Sequence, residues 1–194
     1  MLESILAQKK VGLKVKISIK AAVSAFIIAL AVLLPQVVHL TLGAAGGVKW
    51  LPMYLPVLIG GSVLGWKWGL GIGILSPVVS FAVTSLIGNP MPAATRLPYM
   101  AVELAVFAAV SGLFSNAIVK NAWTAFPAVL LAEVAGRAAF IATAAIFESV
   151  SALSAETVWA QIQTGFIGLI LQAVIVPFIV MALAKLTLSE KKGE

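Results

Sequence analysis

The sequence predicts an all-α membrane protein with six transmembrane helices and with both termini in the cytoplasm. Hydrophobic residues make up 61% of its 194 residues and charged residues only 10%, whereas a soluble domain is about one quarter charged. Long apolar runs are the second observation, because a helix needs about 20 apolar residues to cross a bilayer. The third is the uneven distribution of lysine along the chain. Little of the chain is left for a separate soluble domain.

We place the spans near residues 17–40, 51–65, 69–87, 97–117, 123–147 and 161–186, and assign residues 1–194 to a single membrane domain. The connections between them are brief. The second span has about 15 residues, or about 22 Å of helix, which is less than the thickness of the hydrocarbon core. We therefore expect this span to be short, tilted or partly re-entrant.

Basic residues set the predicted orientation of these spans. Only Lys49 and Arg96 fall on one side of the membrane, while Arg137 lies within a span. The opposite side holds the larger set, which is Lys9, Lys10, Lys14, Lys16, Lys20, Lys67, Lys120, Lys185, Lys191 and Lys192. Because loops rich in lysine and arginine stay in the cytoplasm, both termini are predicted to be cytoplasmic. The same clustering explains the net charge of +6 without nucleic acid as a partner.

Glycine and proline interrupt the apolar sequence repeatedly between residues 50 and 113. In a bilayer, small residues four apart allow helix backbones to approach closely, and neighbouring helices satisfy backbone groups that proline frees. The glycine series that runs from Gly61 to Gly73 in steps of four crosses residues 66–68, which we expect to form a loop. We therefore expect close packing around a tight cytoplasmic turn.

Residues that catalysis inside a membrane requires are scarce. The chain has no aspartate and no cysteine, and its one histidine, His39, ends the first span as a capping or interfacial residue. Intramembrane proteases need an aspartate pair, a Ser–His dyad or a metal cluster, so an enzyme is disfavoured and no metal or cofactor is expected. The chain lacks G-x-x-x-x-G-K-[ST], so it cannot hydrolyse ATP by that route.

Several segments together resemble the substrate-binding S component of energy-coupling factor (ECF) vitamin transporters. They are residues 51–61 (LPMYLPVLIGG), 64–73 (LGWKWGLGIG), 75–77 (LSP), 88–92 (GNPMP) and 100–105 (MAVELA). The first span adds Ala21, Ala25 and Ala29, an alanine row at four-residue spacing that is similar to the row with which family members dock on a coupling subunit.

The resemblance implies a multi-pass protein of a prokaryotic plasma membrane that captures a vitamin or related micronutrient from outside. Its expected partners are the lipid bilayer, a transmembrane coupling subunit and two cytoplasmic ATPases, which alone use ATP. The expected alternative is a small oligomeric carrier or channel that acts without these partners.

Polar and aromatic side chains in the outer halves of the spans are the candidate binding residues. Charges inside apolar spans are costly, so each needs a partner or a purpose. Arg96, Tyr99 and Glu103 are spaced by three and four residues and therefore share a helical face. The complete candidate set is Trp50, Tyr54, Asn89, Arg96, Tyr99, Glu103, Arg137, Trp159 and Gln163. Such groups suit a polar, planar ligand of vitamin size.

Other interpretations of these residues stay open. Glu133 and Arg137 are four apart and would neutralise one another as a structural ion pair. Arg96 would reach lipid headgroups, and Gln163 and Gln172 would join helices by hydrogen bonds. Trp50 and Trp159 also fit an interfacial aromatic belt, and Asn89 fits a turn. The glycines of the first outer loop, residues 41–49, would make it a flexible lid.

Overall fold

The computed structural model describes residues 1–8, 11–147 and 155–189, and these residues form helices without a β-strand. The helices are α1 (Leu2–Gln8), α2 (Leu13–Trp50), α3 (Tyr54–Leu64), α4 (Trp66–Leu86), α5 (Leu97–Leu113), α6 (Ser115–Lys120), α7 (Ala125–Phe147) and α8 (Ala155–Ser189), with a 3-10 turn at Ala122–Thr124.

The lengths of the apolar stretches are those of a membrane protein. Within the described residues, the stretches long and apolar enough to cross a bilayer are Leu13–Gly43, Ala45–Leu64, Trp66–Leu86, Ala122–Phe147 and Trp159–Leu186. The shorter helix Leu97–Leu113 is apolar as well. The predicted all-α membrane fold is therefore confirmed.

Connections between the helices gather at two ends of the bundle. At one end α2 begins, α3 meets α4, α5 leads through α6 to α7, and α8 ends. We call this the lysine end because it carries Lys14, Lys16, Lys20, Lys67, Lys120 and Lys185. At the opposite end, the cavity end, α2 leads to α3 and α4 leads to α5, and Lys49 and Arg96 lie there. Lys9, Lys10, Lys191 and Lys192 are outside the described residues.

The closest approach of backbones occurs where α3 and α4 meet α5. A Cβ atom on either Gly61 or Gly69 would overlap the carbonyl oxygen of Ala108 on α5. A Cβ atom on Gly73 would overlap the α5 backbone at Leu104 and Ala105. The expected close packing at these glycines is thus present, and it holds α5 in a fixed position beside α4.

The turn between α3 and α4 is tighter than the sequence suggested. Gly65 alone makes the turn, with φ of 87°, a conformation that side chains with a Cβ atom rarely adopt. Its N–H donates to the carbonyl of Gly61 at 2.8 Å, and its own carbonyl accepts from the N–H of Gly69 at 2.9 Å. The expected loop at residues 66–68 is therefore wrong, because these residues form the first turn of α4.

The expected flexible lid at residues 41–49 is also wrong, because α2 continues as far as Trp50. The helix is broken only at Gly43, where φ is 72° and ψ is −176°. Helix α3 has 11 residues, so the stretch from Ala45 onwards supplies the rest of the second span. Glycines inside a helix cost about 1 kcal/mol each relative to alanine, yet Gly46 and Gly47 are helical here.

We call residues 45–53 the wall segment. The side-chain amide of Gln172 on α8 donates to the carbonyls of Trp50 and Leu51, at 3.2 Å and 2.9 Å. A Cβ atom on Gly168 would lie 2.6 Å from the carbonyl oxygen of Lys49, so the segment passes directly over this glycine. The wall segment is therefore fastened to α8, as an interhelical role for Gln172 requires.

At the lysine end, α1 folds back onto the bundle. The Met1 amine donates to Ser115 Oγ at 2.5 Å. Glu3 pairs with Lys20 at 3.3 Å, although the Glu3 side chain is 72% exposed.

Candidate ligand-binding cavity

A cavity of about 250 Å³ lies at the cavity end of the bundle. Every spanning helix and the connection between α4 and α5 contribute to its wall. It is lined by Pro35, His39, Gly47, Val48, Leu51, Pro52, Met53, Tyr54, Ser80, Met91, Pro92, Ala93, Arg96, Met100, Glu103, Arg137, Phe140 and Gln161. Its volume is slightly below the range of about 300–1,000 Å³ that is typical of small-molecule sites.

Three polar side chains from three helices meet in the cavity wall. The Tyr54 hydroxyl on α3 donates to Glu103 Oε2 on α5 at 2.5 Å. Arg137 Nη1 on α7 lies 2.9 Å from Glu103 Oε1, although this ion pair lacks the alignment of a hydrogen bond. The Glu103 side chain is 1% exposed. A buried carboxylate held by a hydroxyl and a guanidinium ties the three helices together without an unpaired charge.

Arg137 also contacts aromatic rings on both sides of this ion pair. Its guanidinium carbon lies 5.5 Å from the centre of the Tyr54 ring and 6.0 Å from that of Phe140. These distances fit cation–π contacts. Arg137 Nε and Nη2 are buried and have no hydrogen-bond partner among the described residues. The guanidinium therefore has three unbonded N–H groups, one on Nε and two on Nη2, while its charge is balanced by Glu103.

Arg96 lies at the N-terminus of α5 and faces α8. With the Gln161 amide oxygen turned toward it, that oxygen accepts from Arg96 Nε and Nη2, both at 3.0 Å. A neutral amide orients the guanidinium but leaves its charge uncompensated. Arg96 and Glu103 are seven residues apart, so they are separated by about 10 Å along the helix.

The connection between α4 and α5 forms an apolar wall that α4 holds in place. The N–H of Met91 donates to Thr84 Oγ1 at 2.7 Å, and Ser80 Oγ donates to the Met91 carbonyl at 2.8 Å. Both α4 side chains are buried. These bonds fold the connection back so that Met91, Pro92 and Ala93 line the cavity.

Four of the candidate binding residues line the cavity, namely Tyr54, Arg96, Glu103 and Arg137. Tyr99 is buried behind the wall, where its ring packs edge-on against Phe140 at 6.4 Å between centres. The wall segment contains Trp50, whose ring lies 5.5 Å from Lys49 Nζ and outside the cavity lining. Asn89, Trp159 and Gln163 are exposed and do not line it either.

Arg137 does not pair with Glu133, contrary to one interpretation of their spacing. The guanidinium turns instead to Glu103 on the neighbouring helix. Glu133 is buried, and its Oε1 has no hydrogen-bond partner among the described residues. The spacing of four allows an ion pair within one helix, but the packing of α5 against α7 brings a carboxylate closer.

The face of α8 that meets the bundle differs from the expected one. Trp159 and Gln163 were expected to face a ligand, but both are exposed, as is Phe166 on the same side of the helix. The inward positions are Gln161, Gly165, Gly168 and Gln172, spaced by four, three and four. In a membrane bundle, small residues mark contact with another helix, whereas large aromatic residues suit lipid. The two glycines therefore indicate better than the aromatic residues which face of α8 points into the bundle.

Sequence reasoning missed several residues of the cavity wall. His39, interpreted as a capping or interfacial residue, lines the cavity from α2. Gln161, Phe140 and the methionines Met53, Met91 and Met100 were not proposed. Met100 lies four residues after Arg96 and three before Glu103, so the helical spacing of α5 held enough information to find it.

The alanine row lies on the surface of the bundle. Ala21, Ala25 and Ala29 on α2 are all exposed, so packing within this chain does not use them. They are in the half of α2 nearer the lysine end.

Comparisons of the chain with protein-family models, with curated proteins and with solved structures gave no match.

Proposed function

We propose that this protein is the substrate-binding S component of an ECF-type importer. In this role it captures a vitamin or related micronutrient from outside the cell and delivers it inward with a coupling subunit and two ATPases. The observation that carries the proposal is the cavity at one end of the bundle, which is lined by polar and apolar side chains from every spanning helix.

The distribution of charge supports the orientation that capture requires. Lys14, Lys16, Lys20, Lys67, Lys120 and Lys185 lie at the end opposite the cavity. Cytoplasmic ends of membrane proteins are rich in lysine and arginine, so the lysine end is assigned to the cytoplasm and the cavity to the outer half of the membrane. The proposed location is a prokaryotic plasma membrane.

The exposed alanine row supports a partner within the membrane. Helices associate closely in a bilayer through small residues, because lipid supplies no hydrophobic driving force between them. Ala21, Ala25 and Ala29 form such a surface, and the four-residue spacing resembles the docking row of ECF S components. We assign this surface to the coupling subunit.

Affinity purification of the tagged chain from its own cells in mild detergent tests the partners. Two ATPases and a membrane subunit should co-purify, and Ala25→Trp should remove them because the indole separates the helices. Native mass spectrometry should still detect a bound small molecule in this variant. Val134→Trp is the control, since Val134 is 69% exposed on α7 and outside the alanine row.

Three results would contradict the proposal. Retention of the partners by Ala25→Trp would remove the alanine row as the docking surface. Loss of the small molecule as well would mean that the row holds the bundle together. Uptake of the small molecule by the purified chain alone in liposomes would favour a stand-alone carrier.

A further inference from the structure

The charges that line the cavity do not balance. Arg96 and Arg137 each contribute a positive charge, and Glu103 contributes one negative charge. With His39 neutral, the lining formed by described side chains has a net charge of +1. A positive charge in a low-dielectric site is costly when it has no counter-ion, so a ligand that supplies one is favoured.

Both carboxylate oxygens of Glu103 already contact side chains of the protein. One oxygen accepts from Tyr54 at 2.5 Å, and the other lies 2.9 Å from Arg137 Nη1. A cationic group on a ligand would have to displace a guanidinium that is 12% exposed and packed over two rings. The cavity is therefore a poor site for a cation.

The charge of Arg96 is free for a ligand. Its partner is the neutral amide of Gln161, and it forms no ion pair among the side chains that the structure describes. The amide uses Nε and one Nη2 hydrogen, which leaves three of the five guanidinium donors. A guanidinium held by an amide in this way is oriented for a carboxylate but not neutralised.

We infer that the ligand is a small carboxylate-bearing organic molecule with a single negative charge. Its carboxylate binds Arg96, and its apolar body packs against Met53, Met91, Met100 and Phe140. The cavity of about 250 Å³ admits a molecule smaller than a typical drug. A phosphate monoester, which carries up to two negative charges, would leave an uncompensated charge in the cavity. This inference rests on the proposed function, because it names the substrate class of the same site.

The test uses the wild-type protein in lipid nanodiscs and an aqueous metabolite extract of the cells that produce it. One portion of the extract is treated with carbodiimide and methylamine, which converts carboxylates to neutral N-methylamides. A second portion is treated with alkaline phosphatase, which removes phosphate monoesters. Molecules retained by the protein are released by denaturation and identified by mass spectrometry, with empty nanodiscs as background.

We expect one molecule to be enriched from the untreated and the phosphatase-treated extracts and lost from the amidated extract. If the molecule is still enriched after amidation, or if phosphatase abolishes its enrichment, the inference that the ligand binds through a carboxylate is wrong. The proposed capture function would not be contradicted by either result. If no molecule is enriched from any portion, the proposed function fails and the inference fails with it.

A pair of variants separates a specific contact from general attraction of anions. Arg96→Gln should weaken binding of the retained molecule about 10- to 100-fold, because hydrogen bonds to charged groups have this strength. Lys49→Gln removes the same charge from the cavity end, but Lys49 is exposed and does not line the cavity. Equal weakening by the two variants, or no effect of Arg96→Gln, would overturn the assignment of the carboxylate to Arg96.

Discussion

Substitution of either partner in the ion pair between Glu103 and Arg137 should strongly lower the free energy of unfolding. Glu103→Gln keeps the shape of the side chain and an oxygen for the Tyr54 hydroxyl, but it removes the counter-charge of Arg137. The two side chains are 1% and 12% exposed, so bulk solvent compensates little for the lost partner. Removal of one partner of a buried pair costs about 3–5 kcal/mol, and we expect a loss of this size in the free energy of unfolding.

A double-mutant cycle isolates the pair from the rest of the site. Arg137→Met alone should also cost about 3–5 kcal/mol, because it removes the counter-ion of the buried Glu103 carboxylate. In the double variant Glu103→Gln/Arg137→Met neither charge remains, and a neutral replacement of a buried pair is often tolerated. We therefore expect a coupling energy of about 2 kcal/mol or more between the two positions.

Reversible unfolding in mixed dodecyl maltoside and dodecyl sulfate micelles, followed by tryptophan fluorescence, measures these energies. The exposed pair of Glu3 with Lys20 supplies the control, and Glu3→Gln should cost less than about 1 kcal/mol. Additive effects of the two cavity substitutions would refute the reasoning. A cost below about 1 kcal/mol for Glu103→Gln would also refute it, because Arg137 would then have another partner, such as Glu133 one turn away.

Two further predictions concern the packing that shapes the cavity. Gly61→Ala should destabilise the protein by about 1–3 kcal/mol, since its Cβ atom would overlap the Ala108 carbonyl, whereas Gly71→Ala has open space and should be neutral or stabilising. The same unfolding assay decides this, and equal effects would contradict it. Gln172→Leu should lower the free energy of unfolding by about 1 kcal/mol, because two hydrogen bonds to the wall segment are lost. Gln163→Leu is the control and should have no such effect, since Gln163 is exposed. Proteolysis of the wall segment should increase only in Gln172→Leu.

Much of the fold could be predicted because it depends on local properties of the chain. Apolar length placed the spans, and lysine distribution distinguished the two ends of the bundle. Glycine spacing indicated the close contacts of α5, although a single residue, Gly65, replaced the expected loop. Residues 41–49 were expected to be flexible because glycine is a poor helix former, but they are helical apart from Gly43, and their last residue contacts α8 at Gly168.

The candidate site was predictable only where one helix carries its residues. Arg96 and Glu103 lie on one face of α5, as their spacing indicated. The contact of Glu103 with Tyr54 and Arg137 joins three helices that are distant in sequence, and no spacing within one helix reveals it. On α8 the polar and aromatic residues suggested one face, whereas the glycines occupy the face that meets the bundle.

The attachment of the wall segment to α8 has a mechanical consequence. Gln172 on α8 donates hydrogen bonds to two successive carbonyls of that segment. Lys185 lies on the same helix, at the lysine end of the bundle. α8 therefore runs between the two ends of the molecule and is fastened to the wall segment at its midpoint. A displacement of α8 at Gln172 would move the Trp50–Leu51 backbone with it, and Leu51 is part of the cavity wall.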